Sequence, residues 1–291
     1  MRKIPVWKTI AGGYSFAFGQ LGTVIGLIWL PMVIVAVAGY FVMAQYYTAI
    51  PPAIEQGDPA AAGRSALIVI VWSVISLLLW SMMYAAVTRQ ALGFRQGPAL
   101  FNFQFGAVEL RVFGAIVALV AIFAFFLLIY LIVVGALVGA ARPGNPAAAA
   151  AVGLMAVLYL PALLFVIVRL SFFMIPATIA EGGIGLARSW QLTHGNFWRI
   201  VLIGLVTLGP LLLVTVAAEI AILGPDFFLP HNAPGDADAQ LREMVAQMRA
   251  ASPHMPVLYG FSFLIAPIVA GLALAPPAIA YLALKNGADT N

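Results

Sequence analysis

The 291-residue chain has no cysteine and few ionisable side chains: 14 Lys and Arg and 10 Asp and Glu, 8% of the whole, with three histidines. The missing thiols exclude disulfides, thiolate metal sites and cysteine nucleophiles. The shortage of charge argues against a water-soluble domain, which carries about 25% charged residues. With 64% hydrophobic residues, too little polar surface remains to cover the apolar material, so lipid is expected to surround most of the chain. A net charge of +4, spread this thinly, does not make a groove that tracks phosphates, and nucleic acid is not an expected partner. Known catalytic signatures are also missing. There is no G-x-S-x-G, H-E-x-x-H, phosphate-binding loop with its lysine, or G-x-G-x-x-G. No carboxylate cluster falls inside the apolar stretches. The expectation is a protein that is not an enzyme, holds no cofactor and has membrane lipids as its partners.

What the chain does have is long apolar runs. A membrane crossing needs about 20 apolar residues. Six stretches qualify: 21–46, 66–88, 112–139, 150–175, 197–222 and 257–283. None alternates as a barrel strand would, so each reads as a helix and the fold class as an all-α polytopic membrane bundle in one domain, 1–291. Pro31, Pro161, Pro210 and Pro267 lie inside spans and are expected to kink them. The N-terminus has the basic-then-apolar look of a signal peptide, with Ala36-Val37-Ala38 as a cleavage site. The apolar run continues through Tyr40-Phe41-Val42-Met43, so the segment is expected to stay as the first span.

Basic residues set the orientation. With the N-terminus inside, Arg2, Lys3, Lys8, Arg89, Arg95, Arg111, Arg169, Arg188, Arg199 and Lys285 fall on the inner side. Only Arg64, Arg142, Arg242 and Arg249 fall outside. That bias places both termini in the cytoplasm.

An internal repeat accompanies the spans. An aromatic residue stands five positions before a glycine ahead of each odd-numbered span: Tyr14/Gly19, Phe101/Gly106 and Trp190/Gly195, the glycines 87 and 89 residues apart. The reading is three units, 1–93, 94–183 and 184–291, each an interfacial amphipathic helix followed by a transmembrane hairpin. The expected faces are Trp7, Ile10, Ala11, Tyr14 and Phe18 in the first helix, Phe101 and Phe105 after Pro98 in the second, and Leu186, Trp190, Thr193 and Phe197 in the third. Each glycine would stop its helix in left-handed geometry, and Asn196 would cap the next helix.

Residues 48–65 and 140–149 read as short outer connectors. The longer outer loop, 223–256, is expected to hold a helix capped by Asp236 or Asp238, with Leu241, Met244, Val245 and Met248 on one face. His231, His254 and Met255 also fall in this loop. Thioether and imidazole ligands suit copper, but methionines on an amphipathic face pack more often than they ligate.

Two ionisable residues fall within or near the lipid core, where charge is expensive and marks a candidate site. Arg169 lies near the inner end of the fourth span and is expected to pair with Glu109, Glu181 or a lipid headgroup, a substrate-facing role being the alternative. Glu219, an intramembrane acid near the outer end of the fifth span, is expected to reach the interface. Gly135 with Gly139, and Gly271 with Ala275, permit close packing within the bundle or between copies.

The stretch Arg169-Leu-Ser171, Pro176, Glu181-Gly182-Gly183, Ala187-Arg188-Ser189-Trp190-Gln-Leu-Thr193-His-Gly195-Asn-Phe-Trp198 resembles bacterial polytopic proteins related to the membrane domain of glycerophosphoryl diester phosphodiesterases, and the YciC-like proteins near them. It covers about thirty residues, and the soluble phosphodiesterase domain has no counterpart in them. The resemblance implies a bacterial inner (plasma) membrane location. It also implies candidate residues Arg169, Pro176, Glu181, Ser189, Trp190, Thr193 and Gly195, forming with Arg188 an inner-interface clamp in which Pro176 ends the fourth helix. The expected function is a non-enzymatic scaffold, accessory or envelope-homeostasis protein in contact with lipid, with room for a protein partner or a second copy. The alternative is a transporter or lipid-handling protein with a passage between hairpins. A polar cavity reaching Arg169 would favour transport, and a solid apolar bundle scaffolding.

Overall fold

The computed structural model describes residues 3–95, 105–140, 146–228 and 237–285. Within them the chain is all-helical, with no strand. In order, the helices are α1 (Val6–Gly19), α2 (Leu21–Glu55), α3 (Pro59–Ala91), α4 (Ala107–Ala140), α5 (Pro146–Ser171), α6 (Met174–Glu181), α7 (Leu186–Leu192), α8 (Phe197–Leu223), α9 (Ala237–Ala251) and α10 (Met255–Lys285). Single 3₁₀ turns, Pro225–Phe228 and Ser252–His254, flank the segment before α10. Six helical stretches are long and apolar enough to cross a membrane: within α2, α3, α4, α5 running on through α6, α8, and α9 running on through α10, Leu241–Lys285. They match the six spans expected from the sequence.

The connectors differ from expectation. Residues 48–65 are mostly helix, because α2 runs to Glu55 with Pro51 and Pro52 inside it, and α3 begins at Pro59. The real break is Gln56–Asp58. Asp58 caps α3, its carboxylate accepting from the N–H groups of Ala60 and Ala61 at 3.0 Å each, with Pro59 in the first helical position. That proline has no N–H to leave unpaired and a backbone angle already suited to a helix. In the later loop, α9 buries Val245 and Met248 while Leu241 and Met244 stay exposed, so the buried stripe is half the expected one. Arg249 ties α9 to the end of α2 through Glu55 at 2.7 Å. Asp238 falls within the first turn of α9, Ala237–Ala251. Asp236, His231, Arg142 and the segment holding Pro98 and Phe101 lie outside the described residues.

The central element is α10, which packs against α1, α2, α3, α6 and α8. Small residues permit its closest approach. A Cβ on Gly13 of α1 would stand 2.7 Å from Pro276 Cγ, and one on Gly271 of α10 would stand 2.9 Å from Ala17 Cα. The Gly271/Ala275 pair therefore serves contact within the chain. A Cβ on Gly135 meets open space. The face α1 buries is Thr9, Ile10, Gly13, Phe16 and Ala17, while Trp7 and Phe18 are exposed. The stripe expected to meet the membrane interface shares only Ile10 with this buried face, where close backbone approach at Gly13 decides which side turns inward.

Proline chemistry explains one long-range contact. Pro210 cannot donate to the Val206 carbonyl four residues earlier. That carbonyl accepts from the Tyr14 hydroxyl at 2.8 Å instead, so α1 supplies the donor that α8 lacks.

Candidate functional site

Pro176 also lacks an N–H, and the carbonyl four residues before it is that of Phe172. The long helix breaks there, α5 ending at Ser171 and α6 starting at Met174. Pro176, expected to end the fourth helix, lies in the first turn of α6, five residues beyond the end of α5. An unbroken helix would carry a hydrogen bond from the Phe173 N–H to the Arg169 carbonyl. Here the Ser189 hydroxyl is inserted between them: it accepts from the Phe173 N–H at 3.1 Å and donates to the Arg169 carbonyl at 2.8 Å. A side chain spliced into the helical ladder is a recognised cause of a kink. Ser189 is fully buried.

One turn further on, Thr193 Oγ1 accepts from Arg169 Nε at 3.3 Å and donates to the Trp190 carbonyl at 3.0 Å. Arg169 Nη2 also donates to the Trp190 carbonyl, at 2.8 Å. The guanidinium carbon sits 3.8 Å from the Trp190 ring centroid and 5.3 Å from that of Phe165. A cation over an indole face is attracted by the ring quadrupole, worth ~2 kcal/mol when desolvated. Arg169, 8% exposed, is therefore held by a hydroxyl, a carbonyl and two aromatic rings. The expected pairing with Glu109 or Glu181 does not occur. Glu109 is taken by Arg89 at 2.8 Å, and its second oxygen accepts from the Gly106 N–H at 3.0 Å. Glu181 is taken by Arg188 at 2.9 Å and by the Tyr281 hydroxyl at 2.8 Å. Glu109 stands in the first turn of α4, and Glu181 ends α6 beyond the break.

That turn has its own requirements. Gly182 closes α6 in left-handed geometry at φ +74°, where a side chain is strained. The Gly185 N–H donates to Thr178 Oγ1 at 2.9 Å, and Thr178 donates to the Met174 carbonyl at 2.7 Å. A Cβ on Gly185 would collide with that carbonyl and with Thr178 N. Around α7 the residues turned into the protein are Ser189 and Thr193, both fully buried, while Trp190, on the face expected to meet the membrane interface, is more than a third exposed. Gly195 is left-handed as expected, at φ +75°, but Gly19 and Gly106 are not. Asn196 makes no side-chain cap on α8. Its Oδ1 accepts from the Ile4 N–H at 3.0 Å, and Arg199 donates to the Ile4 carbonyl at 2.8 Å.

The structure thus brings Arg169, Ser189, Trp190 and Thr193 into one network, and Glu181 and Arg188 into a second that adds Tyr281. Glu219 stands apart, half-buried near the far end of α8. Sequence reasoning missed Phe165, Phe173, Thr178, Gly185, Tyr281 and Ile4. Of these, Thr178 and Gly185 carried a local signal, a threonine four residues after Met174 and a third glycine in the turn. Tyr281 and Ile4 lie 100 and 192 residues from their partners and carried none. Chemically, the Ser189 hydroxyl is used as donor and acceptor at once, so it is not poised as a nucleophile. Arg169 lines none of the described cavities. No family model, curated protein or solved structure matches this chain.

Proposed function

We propose that the chain is a non-enzymatic multi-pass protein of the bacterial inner membrane, with both termini cytoplasmic, acting as a scaffold or accessory subunit in contact with lipid. The observation that carries this reading is the state of Arg169. An intramembrane arginine is a substrate-binding candidate by default. Here its hydrogen bonds and its cation–π contacts go to its own chain, and none of the cavities described among these residues is lined by it. The likeness of the 169–198 stretch to the phosphodiesterase membrane domain and YciC-like proteins supports the inner-membrane assignment. The three-unit repeat is part of the proposal. Its support is that α2 packs on α3, α4 on α5 and α8 on α10.

In this reading Arg169 locks the α5–α6 break to α7. Arg169→Ala is expected to lower thermal stability in detergent without creating or abolishing any flux. The test is purification in native lipid discs followed by reconstitution of the chain alone. The expected result is a polypeptide co-purifying at fixed stoichiometry, and liposomes no leakier to solute or labelled lipid than empty ones. Flux above empty liposomes, abolished by Arg169→Ala in a chain that remains helical, would overturn it in favour of transport.

A further inference from the structure

Three prolines meet at one cavity of about 230 Å³ between α6, α8 and α10, lined in part by Pro176, Pro276 and Pro277. Each removes the N–H that would pair with the carbonyl four residues earlier. Those carbonyls belong to Phe172, Leu272 and Ala273, and all three residues line the same cavity. No charged side chain lines it. The wall is mostly apolar, with the hydroxyls of Ser171 and Thr207, the latter already donating to the Ile203 carbonyl, and no basic group, a chemistry that suits a neutral hydrogen-bonding group attached to an apolar body.

The cavity does not end there. Leu208 also lines a second apolar cavity of about 400 Å³, which continues along the same seam of α8 and α10 as far as Thr215 and Ser262. From Ile203 to Thr215 on one helix and from Ser262 to Pro277 on the other, the seam is roughly 20 Å long at 1.5 Å per residue. That exceeds one leaflet of a hydrocarbon core about 30 Å thick. Taken end to end across Leu208, which both cavities share, they offer a length suited to one acyl chain.

We infer that the α8–α10 seam binds one single-chain lipid with a free hydroxyl beside its head, a monoacyl glycerolipid. Its acyl chain lies along Leu208 toward Thr215, and its glycerol hydroxyl donates to the carbonyls that Pro176, Pro276 and Pro277 leave without helical donors. The inference rests on the membrane reading of the chain and is independent of the scaffold role. A failure here leaves the flux and co-purification results untouched.

The test uses the purified full chain in detergent, titrated by native mass spectrometry with two probes of equal chain length and the same head. Palmitoyl lysophosphatidylcholine carries a free glycerol hydroxyl, and hexadecylphosphocholine carries none. One hydroxyl finding an acceptor is expected to give the lysolipid saturable one-to-one binding about fivefold tighter than its analogue. Pro277→Ala restores the N–H partner of the Ala273 carbonyl and is expected to bring the two probes' affinities closer together, whatever its effect on the apolar contacts that both share. Pro277 is chosen because Pro276 also packs on Gly13. Gly204, which lines the cavity and whose added Cβ would meet nothing within 4 Å, is the site for blocking it. Gly204→Leu is expected to weaken both probes by tenfold or roughly more, since several methylenes lose their contacts. Leu208→Trp repeats the block from the shared wall if the first variant loses helix content. Equal affinity for the two probes, or binding indifferent to a block in a chain of unchanged helicity, overturns the assignment.

Discussion

Ser189 illustrates how much one hydroxyl can hold. It replaces a helical hydrogen bond by two of its own, and it joins α7 to the point where α5 gives way to α6. Removing it leaves a buried N–H and a buried carbonyl facing each other with a gap between. Leaving such groups unsatisfied costs ~1–3 kcal/mol. Ser189→Ala is therefore expected to lower stability by that amount in thermal or denaturant unfolding in detergent. Thr193→Val, which keeps the shape and removes the acceptor of Arg169 Nε, is expected to fall in the same range. If both variants unfold with the unaltered chain, the network is decoration. The members of this cluster were singled out in the sequence on different grounds: Arg169 as a charge in an apolar stretch, Trp190 and Thr193 on one helical face, and Ser189 through the family resemblance alone. Their bonding was not legible there. An arginine in an apolar stretch invites a search for an acid, and Glu109 and Glu181 were the acids at hand. The structure satisfies it with a carbonyl and two rings, which have no signature beyond the aromatic residues themselves.

The span helices were legible because hydrophobic length is a direct consequence of bilayer thickness. Their ends were less so. Pro51 and Pro52 look like breakers, yet they sit within α2. The start signal that mattered was Asp58-Pro59, a cap followed by a proline in the one turn that tolerates it. Helix contacts were legible only as alternatives. Gly135 and Gly271 are equivalent by pattern, but only Gly271 faces another backbone. Gly271→Leu is accordingly expected to push α1 off α10 at a cost of ~1–3 kcal/mol. Gly135→Leu is expected to stay within about 0.5 kcal/mol. Limited proteolysis between α1 and α2, compared across the two variants, reads the displacement. Equal susceptibility would mean that α1 is held by its polar contacts, the Tyr14 bond to Val206 and the clip on Ile4, rather than by the glycine crossing.

On the scale of the molecule, six crossings are an even number, so the two termini must emerge on one side if every apolar helix spans. The balance of lysine and arginine says which side, since basic loops resist transfer across the membrane. The absence of cysteine makes this directly testable, because a single introduced thiol reports without background. Lys8 at the start of α1 and Lys285 at the end of α10 are exposed. Arg242 on α9 is exposed too, on the helix tied through Arg249 to the opposite end of α2. Lys8→Cys and Lys285→Cys are expected to resist a membrane-impermeant maleimide in intact cells and to react once the membrane is opened. Arg242→Cys is expected to react in intact cells. Each substitution lies away from the Arg169 network and the α8–α10 seam, so labelling reports topology alone. If Lys8→Cys and Lys285→Cys label from opposite sides, one of the six helices does not cross. The weakest candidate is then the α5–α6 segment, whose broken ladder and buried arginine make it the costliest to place in hydrocarbon.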